Sequence, residues 1–117
     1  MTREREPFLG SGPWLLLVES RGHEGGRDGF RQDAVTHVTT GRSVVFFLVD
    51  EGVVLAVPGS DAALDRFQEA GGTLAADRFS LAQRGLDKAP LRAGTRVTGM
   101  DEVAGWILDP SVRVVWH

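Results

Sequence analysis

The chain has 117 residues, enough for one domain with a substantial core and too few for two. Its 42% hydrophobic and 25% charged content is globular, and its lack of cysteine excludes disulfides, thiolate metal sites, persulfides and thiol nucleophiles. A net charge of -3, with scattered arginines, several of them beside an acidic residue as in Arg27-Asp28 and Asp65-Arg66, points away from nucleic acid and towards a solvated mixed surface.

The opening Met1-Thr2-Arg3-Glu4-Arg5-Glu6 has no apolar segment of the signal-peptide kind. No run approaches the ~20 apolar residues of a membrane-spanning helix. A cytoplasmic protein with no membrane partner is therefore expected, with residues 1–13 as a flexible arm and 14–117 as the folded domain. Trp14-Leu15-Leu16-Leu17-Val18 is a continuous apolar run, the pattern of a strand buried on both faces. The glycine-rich stretch Gly22-His23-Glu24-Gly25-Gly26 follows as a loop, and Asp28 is placed to cap a helix with Phe30, Ala34, Val35 and Val38 on one face. Gly41 suits the left-handed position that ends such a helix.

Ser43-Val44-Val45-Phe46-Phe47-Leu48-Val49 reads as a second buried strand, ending at Asp50-Glu51-Gly52. The apolar residues 53–57 suit either a hairpin partner or a loop packed inward. After the Pro58-Gly59 break, Ser60 is expected to cap a helix carrying Ala63, Leu64, Phe67 and Ala70 on one side. Residues 73–76 form a third strand, and Ser80-Leu81-Ala82-Gln83 has the spacing of a capping box opening a short helix that stops at Gly85. A short strand over 95–98, an amphipathic helix over 100–108 ended by Pro110, and a final strand over 111–116 complete the chain. Alternation of five strands with helices predicts a single-domain α/β fold, a mostly parallel five-stranded sheet with helices on both faces and flavodoxin-like or Rossmann-like layering.

Three stretches narrow that class. Val45-Phe46-Phe47-Leu48-Val49-Asp50-Glu51-Gly52-Val53 is an aromatic strand ending in an acidic-Gly-Val step. Asp77-Arg78-Phe79-Ser80-Leu81-Ala82-Gln83-Arg84-Gly85-Leu86 passes from a strand end through a serine to an Arg-Gly-aliphatic step, and residues 101–116 pair an amphipathic helix with a terminal strand. Over residues 14–116 the chain thereby resembles the DsrE-like sulfur-relay family (DsrE, DsrF and TusD types). The resemblance implies a subunit that assembles with itself into a homotrimer or homohexamer, or with a cysteine-bearing paralogue. It also implies that Asp77 stands where persulfide-carrying members have their cysteine, and a carboxylate cannot hold a transferable sulfur.

Ligands of open parallel sheets sit at the carboxyl ends of the strands. The loops 19–27, 50–52, 77–84 and 99–101 are expected to bring His23, Glu24, Asp50, Glu51, Asp77 and Arg84 to one rim. Histidine as a residue type ionises near working pH, so His23 suits a general acid or base, the plainer reading being an exposed loop histidine. Asp77 suits a proton acceptor in a partly buried pocket, or a simple cap of the following turn. Arg84 is placed to grip an anionic ligand or to form a structural ion pair, and Ser80 is explained by capping because no nucleophile elbow surrounds it. The glycine-rich loop lacks both the dinucleotide fingerprint and the P-loop lysine, and His23, His37 and His117 are too scattered for a metal motif, so no cofactor or metal is expected.

Three functions are consistent with this reading. The first is a homo-oligomeric protein that is not a persulfide carrier and binds a small anionic molecule or acts as an accessory, with Arg84, Asp50, Glu51, Glu24 and Ser80 as ligand contacts. The second is an enzyme using Asp77 and His23 as a proton-transfer pair. The third is a structural subunit of a paralogue.

Overall fold

The two long apolar runs become the centre of the sheet. In the computed structural model, which describes residues 13–23 and 29–117, β1 (Leu15–Glu19) and β2 (Val44–Leu48) are buried along their whole length. β3 (Thr73–Asp77) and β4 (Arg96–Thr98) extend the sheet beyond β2, and β5 (Arg113–Trp116) adds to the other side of β1. The order is β4-β3-β2-β1-β5 and every pairing is parallel, with Leu15 opposite both Val44 and Arg113.

α1 (Phe30–Thr39), a 3-10 helix (Asp50–Ala56), α2 (Ala62–Glu69) and α3 (Arg78–Gln83) cover one face, while α4 (Met100–Ile107) covers the other. Right-handed crossovers require this segregation. The steps from β1 to β4 all run one way and keep their helices on one side. The return from β4 to β5 runs the opposite way and must cross the other face. Leu15, Leu17, Phe46, Leu48, Leu74 and Ala76 therefore pack under the first layer, and Leu16, Val18, Val45, Phe47 and Ala75 under Val103 and Trp106 of α4. Phe46 sits edge-on to both Phe30 and Phe67, at 5.6 and 5.7 Å, locking α1 and α2 onto the sheet.

Several local expectations change in three dimensions. Of the two alternatives for residues 53–57, the hairpin strand is absent and the inward packing is found, with Val53, Leu55 and Ala56 buried on a 3-10 helix that ends at Ala56 where an irregular loop was expected. Ser60 does not cap α2. Asp61 does, accepting from the Leu64 N–H at 2.9 Å, while the Ser60 hydroxyl turns back to the Leu55 and Val57 carbonyls. A carboxylate at that position gives one oxygen to the helix end and its second oxygen, with its charge, to Arg31. The capping box at Ser80 is displaced by three residues: β3 runs straight into α3, Asp77 is the cap and Ser80 lies inside the helix.

Gly41 is left-handed at φ 91 after α1, as its place in the sequence implies. Asp28, expected to cap α1, lies outside the described residues, as do 1–12 of the expected arm, whereas Pro13 is buried. Arg92 ties the connection before β4 to the α2 layer through the Leu55 and Asp61 carbonyls and the Asp65 carboxylate. No described helix is long and apolar enough to cross a membrane.

Candidate functional site

The carboxyl ends of β1, β2 and β3 carry the polar chemistry. Glu19, the last residue of β1, is wholly buried, because its alternation with Leu15 and Leu17 turns it into the helix-covered face. Its carboxylate accepts from the Arg21 N–H at 3.0 Å, faces His117 Nδ1 at 3.0 Å and lies 3.4 Å from Arg31 Nε. A carboxylate acceptor requires the hydrogen of His117 to be on Nδ1. The imidazole also stacks on Phe30, with centroids 4.5 Å apart.

Arg31, on the first turn of α1, is 4% exposed and reaches further. It donates to Asp61 Oδ2 at 2.7 Å and to the Gly22 carbonyl at 2.5 Å. One guanidinium thus joins β1, α1, the cap of α2 and the loop after β1. Gly52 closes the arrangement from the other side, since a Cβ there would collide with the Glu19 carbonyl.

A second polar chain runs from β2 to β3. Asp77 is 3% exposed, and its Oδ2 accepts both the Ser80 N–H at 2.9 Å and the Ser80 hydroxyl at 2.7 Å. The Ser80 oxygen in turn accepts the Asp50 N–H at 2.9 Å. Asp50 is the sole non-glycine residue with positive φ among the described residues, at 53°. A left-handed backbone costs an L-residue about 1 kcal/mol or more, less for aspartate than for bulkier side chains, and the Ser80 bond holds it in place. Arg84 binds the Ser80 carbonyl at 3.3 Å and Glu51 at 3.1 Å, linking α3 to the start of the 3-10 helix.

Two clefts open along this edge. The first, of about 530 Å³, is lined by Ser20, Arg21, Gly22, His23, Glu51 and Val54. The second, of about 490 Å³, is lined by Asp77, Arg78, Phe79, Ala82, Gly99 and Met100. The residues expected on one rim are therefore divided. His23 and Glu51 share the first cleft, Asp77 borders the second, and Asp50, Ser80 and Arg84 lie in the hydrogen-bonded seam joining β2 to β3. His23 follows β1 and Asp77 ends β3, with β2 between them, so the strands that lead to the two residues lie about 10 Å apart. Glu24 lies outside the described residues, and among those described no group of three or more potential ligands is placed to hold a metal ion.

Glu19, Arg31, Asp61 and Arg21 belong to no motif in the sequence, and His117 is there only one of three scattered histidines. A signal for Glu19 was present in its even spacing from Leu15 and Leu17. Arg31 and His117 had none, because they reach Glu19 from far away in sequence.

With this geometry in hand, the chain can be set beside solved structures. It is similar in fold to the ychN protein from E. coli. The match has a TM-score of 0.74 at 15% identity and covers 88% of this chain and 97% of that one. Proteins of unknown function from Methanobacterium thermoautotrophicum and Bacteroides thetaiotaomicron match at a TM-score of 0.70, with 14% and 13% identity, over 88% and 89% of this chain and 97% and 95% of theirs. No protein-family profile and no curated protein matches the sequence. At such identities the likeness carries the α/β architecture, and each functional side chain rests on its own geometry.

Proposed function

We propose that this protein is a cysteine-free DsrE-like subunit that binds a small anionic molecule in the cleft after β1 and does not carry persulfide. The observation that carries the reading is the first cleft, whose size suits a small ligand and whose wall is held rigid by the Glu19–Arg31 cluster. Arg21 and His23 supply exposed nitrogen groups there, Glu51 supplies a polar counterpart and Val54 an apolar floor. Ordering of the wall before binding lowers the entropic cost of association.

The acid–base alternative has less support. Asp77 spends one carboxylate oxygen on two bonds from Ser80 and borders a different cleft from His23. Self-assembly into a trimer or hexamer is supported by apolar groups at both edges of the sheet, Phe79, Val97 and Met100 beside β4 and Val115 and Trp116 on β5. The same surfaces suit a paralogous partner.

The test is a titration of the ¹⁵N-labelled protein with a panel of small mono- and dicarboxylates, followed by NMR. Saturable shifts confined to residues 20–23 and 51–54, and lost in Arg21→Ala, are expected. Saturable shifts around Asp77 with none at the first cleft defeat the assignment. Light scattering addresses assembly separately, and a monomer at micromolar concentration rules out the self-assembled form.

A further inference from the structure

At the opposite pole of the sheet, where the strands begin, a second cationic feature stands apart from either cleft. Trp14 immediately precedes β1, the central strand of the trio β2-β1-β5. Arg42 precedes β2 on one side and Arg113 opens β5 on the other, and Arg113 hydrogen-bonds through its N–H to the Trp14 carbonyl. Their guanidinium carbons lie 4.5 and 4.9 Å from the centroid of the Trp14 ring. Stacking of this kind fixes the plane and position of a guanidinium while leaving its edge N–H groups free for acceptors.

Those edges have little else to do. Arg42 meets only His37 Nδ1, at 3.3 Å, and neither arginine forms an ion pair among the described residues. Both side chains are exposed. In a chain of net charge -3, whose Arg31, Arg84, Arg92 and Arg96 are all matched by carboxylates, this pair is a local excess of positive charge. The two residues come from the segments of β2 and β5 that flank β1, and their guanidinium carbons lie no more than about 9 Å apart, a span that two linked phosphoryl groups bridge with one group to each arginine.

We propose that Arg42 and Arg113, positioned by Trp14, form a binding site for a diphosphate group at the amino-terminal pole of the sheet. Each guanidinium takes one phosphoryl group by paired N–H donors. Binding is reversible and involves no covalent step.

The experiment is calorimetric titration of the full chain with inorganic pyrophosphate, orthophosphate and adenosine diphosphate at low ionic strength, without divalent metal. Pyrophosphate is expected to bind at one site, more tightly than orthophosphate, and to weaken as salt is raised. Arg42→Gln and Arg113→Gln are each expected to weaken it by about tenfold, the scale of one charge-assisted bidentate contact. Both substitutions are on exposed side chains, so unchanged circular dichroism and melting are expected to accompany the loss. Arg21→Ala in the first cleft is expected to leave it unchanged, which separates this site from the anion-binding cleft. Equal affinity for pyrophosphate and adenosine diphosphate assigns the site to the bare diphosphate, and tighter binding of the nucleotide assigns it to a nucleotide's diphosphate. Pyrophosphate that binds no better than orthophosphate, or as well to the Arg42→Gln/Arg113→Gln double variant as to the parent, overturns the proposal.

Discussion

Replacing Glu19 by alanine removes the carboxylate on which the end of β1 is organised. In the parent chain that carboxylate is wholly buried and meets Arg31 Nε at 3.4 Å, His117 Nδ1 at 3.0 Å and the Arg21 N–H at 3.0 Å. The substitution leaves Arg31, itself 4% exposed, with Asp61 as its one remaining carboxylate among the described residues, and removes the acceptor that the His117 ring and the Arg21 N–H share. Removing one member of a buried charged cluster typically costs ~3–5 kcal/mol, because the remaining charges keep their desolvation penalty and lose their compensation. For a domain of this size that is a melting-temperature drop of roughly 10–20 °C. Thermal melts by circular dichroism measure it directly. Glu19→Gln preserves the shape and one acceptor and is expected to lose about half as much. The double variant Glu19→Gln/Arg31→Met is expected to be less destabilised than the two single losses added together, since each change removes the reason the other is costly. A Glu19→Ala variant that melts within about 3 °C of the parent contradicts this reasoning, because a loss that small corresponds to less than ~1 kcal/mol.

Four further outcomes follow from the same coordinates. Ser80→Ala strands the Asp50 N–H and deprives Asp77 of one of its two bonds, and a loss of about 1–3 kcal/mol in urea unfolding is expected. Asp50→Gly relieves the left-handed backbone at φ 53 and is expected to change stability by less than about 1 kcal/mol in either direction, the relief opposing the greater freedom of the unfolded chain; a loss above 2 kcal/mol means the carboxylate has a structural role not visible in its contacts. Gly52→Ala drives a methyl into the Glu19 carbonyl, and because backbone cannot give way as a side chain can, a melting loss equivalent to at least ~1–3 kcal/mol is expected. Asp109 has its pKa lowered by the Ser111 backbone N–H and then by the Ser111 hydroxyl. A depressed folded pKa gives stability that is present above the unfolded value and lost as pH falls through the folded one, so Ser111→Ala is expected to raise the Asp109 titration midpoint by NMR towards that of a free aspartate.

Much of the architecture was legible because its signals are local. The runs at residues 15–18 and 44–49 are too continuously apolar to be half-exposed strands, and a chain alternating such strands with amphipathic segments has few ways to fold other than a parallel sheet between helix layers. Termination of α1 at Gly41 was equally readable, since the left-handed residue is chosen by its own backbone. The boundary errors at Ser60 and Ser80 have one cause. In each case a serine and an aspartate lay within one turn of the helix start, and the aspartate won because its carboxylate serves the helix end and a further donor at once: Arg31 on the second oxygen of Asp61, and the Ser80 hydroxyl on the same Asp77 oxygen that takes the Ser80 N–H.

The site divides in the same way. Composition alone established that no thiol chemistry is possible, and chain order placed His23, Glu51 and Asp77 at the carboxyl ends of their strands. That His23 and Asp77 belong to different clefts depends on strand order, with β2 between their strands, and strand order is a global choice that no local pattern encodes. The Glu19–Arg31–Asp61–His117 cluster and the Arg42–Trp14–Arg113 stack are likewise decided only by tertiary structure. Both join residues tens of positions apart, and a charge reveals whether it is paired and buried only once the chain has brought its partner to it.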